Sequence, residues 1–219
     1  MKNMRIDRPL LMQLTDPSLE RNIYVHPNGI ARDIFWQRLE ELCQMLDGYA
    51  DVHSRVLDLG GGSGVFARMA AGRIASLDVI DLDARDARAL KAHFGLPNVN
   101  VIEKDIRHYF PDQLYDVVTA ADVLEHFAEL QCPISFIQRV LRPGGSLLIS
   151  VPTENWIYEL GRLVIRKTKP VDHFHTGRFI VETLRQHGFQ LKKRTWAPKM
   201  LFRIPLFEIA VFRWPGMAN

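Results

Sequence analysis

Three groups of residues in this sequence carry chemistry. The first is Asp58 with Gly60, Gly62 and Gly64: an acid in a short apolar run, glycines at alternate positions, and a helical pattern from Val65. Glycine lets a loop turn sharply and brings its backbone within contact distance of a bound molecule. The order D-x-G-x-G-x-G departs from the G-x-G-x-x-G of dinucleotide sites, where an acid directly ahead of the loop would repel a pyrophosphate on the helix N-terminus. An acid beside the glycines suits a ligand with a cationic end. The second group is Asp81, followed by Leu82, at the close of the next apolar run. At the carboxyl end of a strand beside the first, a carboxylate is placed to accept both hydroxyls of a ribose. The third group is histidine. Imidazole exchanges protons near neutral pH, so His126 is the first candidate base and His173 and His175 come next.

The elements that position these groups follow from periodicity. Residues 1 to 20 show no sustained period and read as a flexible or substrate-proximal arm. From Asn28, apolar Ile30, Ile34, Phe35, Leu39, Leu42, Met45 and Leu46 recur at helical spacing, with Arg32, Arg38, Glu40 and Glu41 between them as solvated charges. For Tyr24, His26 and Arg32 a scaffold role is the plainer reading. Arg55–Leu59 is the first strand, Val65 to Ile74 a helix, and Ser76 to Ile80 the second strand; Asp83 is expected to cap a helix from Ala84 to His93. A third strand runs from Asn98 towards Asp105 and a fourth from Tyr115 to Ala121, whose small side chain lets the backbone approach a ligand. A helix is expected from about Asp122, then a Pro143-Gly144-Gly145 turn and a fifth strand to Pro152. A further helix spans Gly177 to Gln186, and Phe189 to Trp196 and Phe207 to Trp214 close the sheet.

Composition sets the frame. A chain of 219 residues, 47% hydrophobic and 24% charged, is long enough for one α/β domain with a sizeable core. A net charge of +3 argues against nucleic acid as the partner. Cys43 and Cys132 form no metal or redox spacing, and no run reaches membrane-spanning length, so a cytoplasmic setting is expected.

Arg55 to Arg68 resembles the first motif of class I S-adenosylmethionine-dependent methyltransferases. Asp122-Val123-Leu124-Glu125-His126 and Val140 to Pro152 resemble the matching segments of the group that includes ubiquinone-biosynthesis O-methyltransferases. The resemblance covers the cofactor-binding core, Arg55 to Pro152. It implies a doubly wound, mostly parallel seven-stranded sheet with an antiparallel last strand, and S-adenosylmethionine as methyl donor. It implies a cofactor site of Asp58, Gly60, Gly62, Gly64, Asp81, Leu82, Asp105, Ile106 and Ala121, with the Asp105 carboxylate on the adenine amino group and the Ile106 amide against the ring. Residues 1–50 then form an arm and helix over the cofactor, and 51–219 the methyltransferase domain, with an acceptor-pocket insertion at about 153–178.

Displacement from a sulfonium needs alignment and exclusion of water more than elaborate catalysis. A base helps where the acceptor is a hydroxyl, which is the role expected of His126, His173 or His175. On one helical face Asp122, Glu125 and His126 would converge, and with His173 or His175 they resemble the divalent-cation site of small-RNA 2′-O-methyltransferases. Asp122 is one methylene shorter than the glutamate of that pattern, and the reading adopted has no metal. The function expected is methyl transfer to an oxygen or nitrogen of a small, partly apolar or lipid-like acceptor. A nucleoside-binding regulatory protein is the alternative, and the glycine spacing opposes a nicotinamide oxidoreductase. The basic amphipathic segment Trp156 to Lys169 suits peripheral membrane contact or a pocket cover, with packing against the core as the plainer reading. Acceptor identity and oligomeric state are not legible.

Overall fold

Apolar runs alternating with helical periods specify strands paired in parallel through helical crossovers. The structure, a computed structural model, describes residues 5–16, 18, 22–153, 174–198 and 206–216. Its strands are β1 (Arg55–Leu59), β2 (Ser76–Asp81), β3 (Val99–Glu103), β4 (Tyr115–Ala121), β5 (Leu141–Pro152), β6 (Gln190–Ala197) and β7 (Phe207–Arg213). They form one sheet in the order β3-β2-β1-β4-β5-β7-β6, with β7 antiparallel to both neighbours and the first five strands parallel. This is the expected seven-stranded, doubly wound sheet. The order reverses between β1 and β4, and the crevice beyond the carboxyl ends of those strands is where such a sheet holds its ligand.

Both faces are covered, which is why β1 and β4 read as nearly unbroken apolar runs. One face carries α1 (Arg8–Leu14), α2 (Gly29–Leu46), α3 (Val65–Ala70) and α4 (Arg85–Phe94), around Leu42, Leu46, Val56, Leu77 and Val117. The other carries α5 (Gln131–Val140) and α6 (Gly177–Gln186), around Leu57, Ile80, Val118, Ile137, Ile149 and Leu184.

Several local expectations are corrected. The arm contains a helix, α1, whose Leu11 is fully buried and whose Arg8 donates to the Val25 carbonyl at 2.8 Å. Seven residues form no stable helix alone; docking on the core holds this one. The helix after the glycine loop stops at Ala70 and tightens into a single 3-10 turn, Ala71–Arg73. The helix after β2 begins at Arg85 with Ala84 at its cap position, and Asp83 accepts the Arg85 N–H at 3.3 Å from one residue further out.

The largest correction follows β4. No helix begins at Asp122: that residue is left-handed (φ 55°), Leu124–His126 is one 3-10 turn, and α5 begins only at Gln131. The helical face that would have converged Asp122, Glu125 and His126 is therefore not formed. Among the described residues no three His, Cys, Asp or Glu side chains cluster to hold a metal ion, and no helix is long and apolar enough to cross a membrane. The segment Trp156 to Lys169, His173, most of the 153–178 insertion and the late connection from Met200 to Ile204 lie outside the described residues.

Leu11→Ala tests the docking of α1. Truncating a fully buried leucine should lower unfolding stability by about 2–5 kcal/mol, read in urea titration, whereas the exposed Met12→Ala on the same helix should change it little.

Candidate functional site

The site is built from three loops at the carboxyl edge. The glycine loop follows β1 and is tied to β2 twice: Gly60 N–H donates to the Ile80 carbonyl at 2.8 Å, and Gly62 N–H donates to Asp81 Oδ2, also at 2.8 Å. Asp81 Oδ1 accepts the Asp83 N–H at 3.0 Å. Each oxygen of this half-buried carboxylate thus holds one backbone donor and keeps lone-pair capacity for a ligand hydroxyl. Leu82, beside it, is 73% exposed, an apolar side chain laid open at the ligand edge.

The four glycines of the loop have different jobs. A Cβ on Gly60 would lie 2.4 Å from Val123 of the loop after β4, and one on Gly64 would lie 2.8 Å from the Ala87 backbone of α4. Those two glycines permit packing between elements. Only Gly62, at φ 47°, faces open space, its nearest neighbours being Gly60 O at 3.8 Å and Asp81 Oδ2 at 3.9 Å. Gly61 was missed by the alternate spacing, yet its Cβ would come within 2.3 Å of Val79 and 2.7 Å of Asp58 Oδ2.

Beneath that loop, Asp58 is 1% exposed. Thr119 donates its hydroxyl to Asp58 Oδ1 at 2.8 Å, while Oδ2 is buried with no hydrogen-bond donor. Burial, with the Asp81 charge adding to it, pushes this carboxyl up to about 7. An acid without a counter-charge, one oxygen lacking a donor, matches the cationic ligand end that the sequence calls for.

The complementary charge comes from a residue the sequence reading placed in solvent. Arg38 of α2 is 5% exposed, donates to the Tyr24 hydroxyl at 2.8 Å and forms an ion pair with Asp122. Its guanidinium also lies 5.3 Å from the Phe35 ring centre and 5.2 Å from that of Phe207. Its Nε is buried with no acceptor. The signal was present in the spacing: Arg38 stands three residues after Phe35 and four before Leu42, inside the apolar stripe. Asp122 in turn is gripped by Ser150, whose hydroxyl donates to Oδ1 at 3.0 Å and whose carbonyl accepts the Asp122 N–H at 2.8 Å.

The remaining expected residues are distributed as follows. Ala121 pairs with Ser150 at the end of β4, beside these groups. Asp105 is engaged by Arg107, which donates from its backbone and guanidinium and holds the carboxyl down to about 2; Ile106 is buried. His26 is buried and its Nδ1 accepts the Asn28 N–H, and Arg32 donates to the Pro27 carbonyl at 2.9 Å, so both serve the start of α2. His126 is exposed at the end of its 3-10 turn. His175 is brought to the same loop by a hydrogen bond to Ala128 O at 3.1 Å.

Comparison with known proteins agrees with this geometry. Residues 31–193 match a family described as a methyltransferase domain. The chain belongs to that family. A probable S-adenosylmethionine-dependent methyltransferase of Mycolicibacterium smegmatis is 28% identical over 75% of this chain and 63% of its own length. A ubiquinone biosynthesis O-methyltransferase of Klebsiella pneumoniae is 27% identical over 58% of this chain and 55% of its own. A ubiquinone/menaquinone biosynthesis C-methyltransferase of Teredinibacter turnerae is 30% identical over 62% and 61%. The chain thus spans less than two thirds of the length of these curated relatives. The fold is shared with the N-methyltransferase NodS of Bradyrhizobium japonicum in complex with S-adenosyl-L-homocysteine, at TM-score 0.68, 19% identity, 95% of this chain and 98% of that one. Both acidic strand ends and all four glycines fall within the matched methyltransferase domain.

Two outcomes follow. Gly61→Ala should lower the melting temperature because its Cβ has no room; Gly62→Ala carries the cost of an alanine at φ 47° and should in addition lose affinity for S-adenosylhomocysteine, measured by calorimetry. The raised Asp58 carboxyl gives the second. Below about pH 7 it is neutral and offers no charge to an ammonium. Affinity should therefore fall as pH drops through 7, by at most about tenfold per unit, with a proton released on binding. Calorimetry in buffers of different ionisation enthalpy reads that proton.

Proposed function

We propose that this protein transfers a methyl group from S-adenosylmethionine to an oxygen or nitrogen of a small, partly apolar acceptor. The observation that carries the reading is the donorless buried oxygen of Asp58 beneath the glycine loop. A sulfonium donor of this kind ends in an amino acid, and the chain offers a carboxylate lacking a cation at Asp58 and a guanidinium N–H lacking an acceptor at Arg38. Asp81 supplies acceptors for the ribose, and exposed Leu82 lies next in the chain as an apolar surface for the base.

When bound, the cofactor supplies an activated methyl on sulfur. The chain has to align acceptor and methyl and keep water out, and no chemistry on the protein is required. Asp58 and Arg38 would orient the amino-acid end from opposite charges. Asp81 would fix the ribose and, through Gly62 N–H, the loop it closes. The acceptor approaches across exposed apolar side chains: Phe174 and Phe179 are 54% and 53% exposed and flank His175. The names of the ubiquinone-pathway relatives fit a small apolar acceptor of this kind.

Asp81→Ala should weaken S-adenosylhomocysteine binding by roughly 1.5–3 kcal/mol for each charge-assisted bond lost, in a protein whose circular dichroism is unchanged. Equal affinity in the folded variant would remove Asp81 from the ribose. Stabilisation by NADH rather than by S-adenosylhomocysteine would overturn the cofactor assignment, and incubation of acceptor pools with methyl-labelled cofactor identifies the acceptor.

A further inference from the structure

We infer that His175, rather than His126, is the general base, and that it acts through Nδ1 on an acceptor hydroxyl carried by an apolar body. The inference rests on the methyl-transfer reading above and names the residue that moves the proton.

Geometry separates the two histidines. His126 is exposed at the end of a one-turn 3-10 segment. His175 is held on three sides. Its ring stacks on Phe179 with centres 5.1 Å apart and planes 22° from parallel. Its Nε2 lies 3.1 Å from the carbonyl oxygen of Ala128. The backbone on either side is pinned: Phe174 N–H donates to Glu125 O at 2.9 Å, and Thr176 caps α6 by accepting the Phe179 N–H at 3.3 Å. The next residue, Gly177, is pressed so closely on the end of β5 that a Cβ there would meet Pro152 O at 2.7 Å.

The Ala128 bond fixes the tautomer. A carbonyl oxygen only accepts, so Nε2 must carry the hydrogen, and in the neutral ring the lone pair is then on Nδ1. A stacked ring oriented by a backbone carbonyl, with its second nitrogen basic, is an imidazole prepared to take a proton. It stands at the right edge. The loop that holds it, Glu125 to Ala128, continues from Val123, which fills the space above Gly60 of the glycine loop. Exposed Phe174 and Phe179 on either side supply apolar area for the body of the acceptor.

Electrons and atoms balance without a further reactant. An acceptor oxygen forms its bond to the methyl carbon as the carbon–sulfur bond breaks and its pair returns to sulfur, leaving a neutral thioether. The hydroxyl proton passes to His175 Nδ1, and the imidazolium then releases it to water. The ionisable side chains on the segments packed around the ring are Glu125, His126 and Glu129 from the loop and Arg178 and Glu182 from α6. Among the described residues none of them hydrogen-bonds to His175.

The test combines a spectrum and a rate. Long-range proton–nitrogen spectra of the labelled full chain, with His175 assigned by its loss in His175→Gln, should show the Nε2–H tautomer; an Nδ1–H ring overturns the proposal. With catechol, whose hydroxyls stay protonated at neutral pH, as hydroxyl probe and methyl-labelled S-adenosylmethionine, His175→Gln should lower kcat by ~10²-fold or more. At saturating S-adenosylmethionine the low-pH fall in kcat should vanish, and affinity for S-adenosylhomocysteine should stay within about twofold, well under the tenfold that 1.4 kcal/mol represents. His126→Gln should keep both the rate and the low-pH limb. A normal rate in His175→Gln, or no methylation of catechol by an unsubstituted protein that binds S-adenosylhomocysteine, overturns this proposal alone. Absence of that binding in the unsubstituted protein overturns the methyl-transfer reading with it.

Discussion

The ion pair between Arg38 and Asp122 is the constraint on which the carboxyl edge depends. It joins α2, early in the chain and packed on β5, β6 and β7, to the loop after β4. Burying a guanidinium is costly, and an apolar replacement pair often gives equal stability. Its value here is positional. Asp122 sits at φ 55°, a conformation that disfavours most side chains and that aspartate tolerates, and three interactions over-determine it: Arg38, the Ser150 hydroxyl and the Ser150 carbonyl. Because Asp122 is fixed, Val123 is directed at the glycine loop instead of into a helix, and the next turn is free to receive Phe174 and His175. One buried cation thereby sets the relative placement of the cofactor loop and the acceptor side.

Charge around the cofactor loop is arranged with deliberate incompleteness. Most buried polar groups in folded proteins find partners; at the amino end of the sheet, for example, the Asp78 carboxylate accepts from Arg55 at 2.9 Å and from the Tyr115 hydroxyl. At the carboxyl edge an oxygen of Asp58 and the Nε of Arg38 go without. The same sheet, with the same residue types available, satisfies one end and leaves the other open. A ligand that brings an ammonium and a carboxylate would complete both groups, which ties its binding energy to charges the apo fold keeps at a cost.

What could be read from the sequence divides along the same line. Strand ends were legible because β1 and β2 are apolar runs closed by acids, and the parallel pairing of these two strands brings Asp58 and Asp81 to the same edge. The glycine loop was legible as a ligand loop, although only Gly62 has the open space expected of all three alternate glycines, and Gly61 fills a role that spacing did not single out. Arg38 was not legible by residue type, since arginine is mostly exposed, and its partner lies in a distant segment. The stretch after β4 was misread because its composition permits a helix. Tertiary ties to Ser150 and Arg38 override that local preference. The helix in the arm was missed because α1, at seven residues, is too short to show a period despite its helix-forming Leu, Met and Gln residues, and it holds because Leu11 finds a buried place on the core.

The sparse chemistry of the site follows from the donor. Where a leaving group is already activated, most of the barrier that a protein can remove lies in alignment and desolvation. Selection can then act on the scaffold that positions two loops, and the groups that touch the reacting atoms need not form a cluster. The described residues have this character: three glycines with packing duties and a fourth facing open space, two acids at adjacent strand ends, and a guanidinium whose main contacts are structural. A proton acceptor becomes useful only for acceptors that must lose a proton as the new bond forms. It belongs on the acceptor's side of the cleft, on backbone separate from the elements that hold the cofactor, so that acceptor chemistry can vary while cofactor binding stays intact. The segment from Phe174 to Gly177 meets that requirement, being anchored to β5, α6 and the loop after β4 without sharing a residue with the cofactor loop.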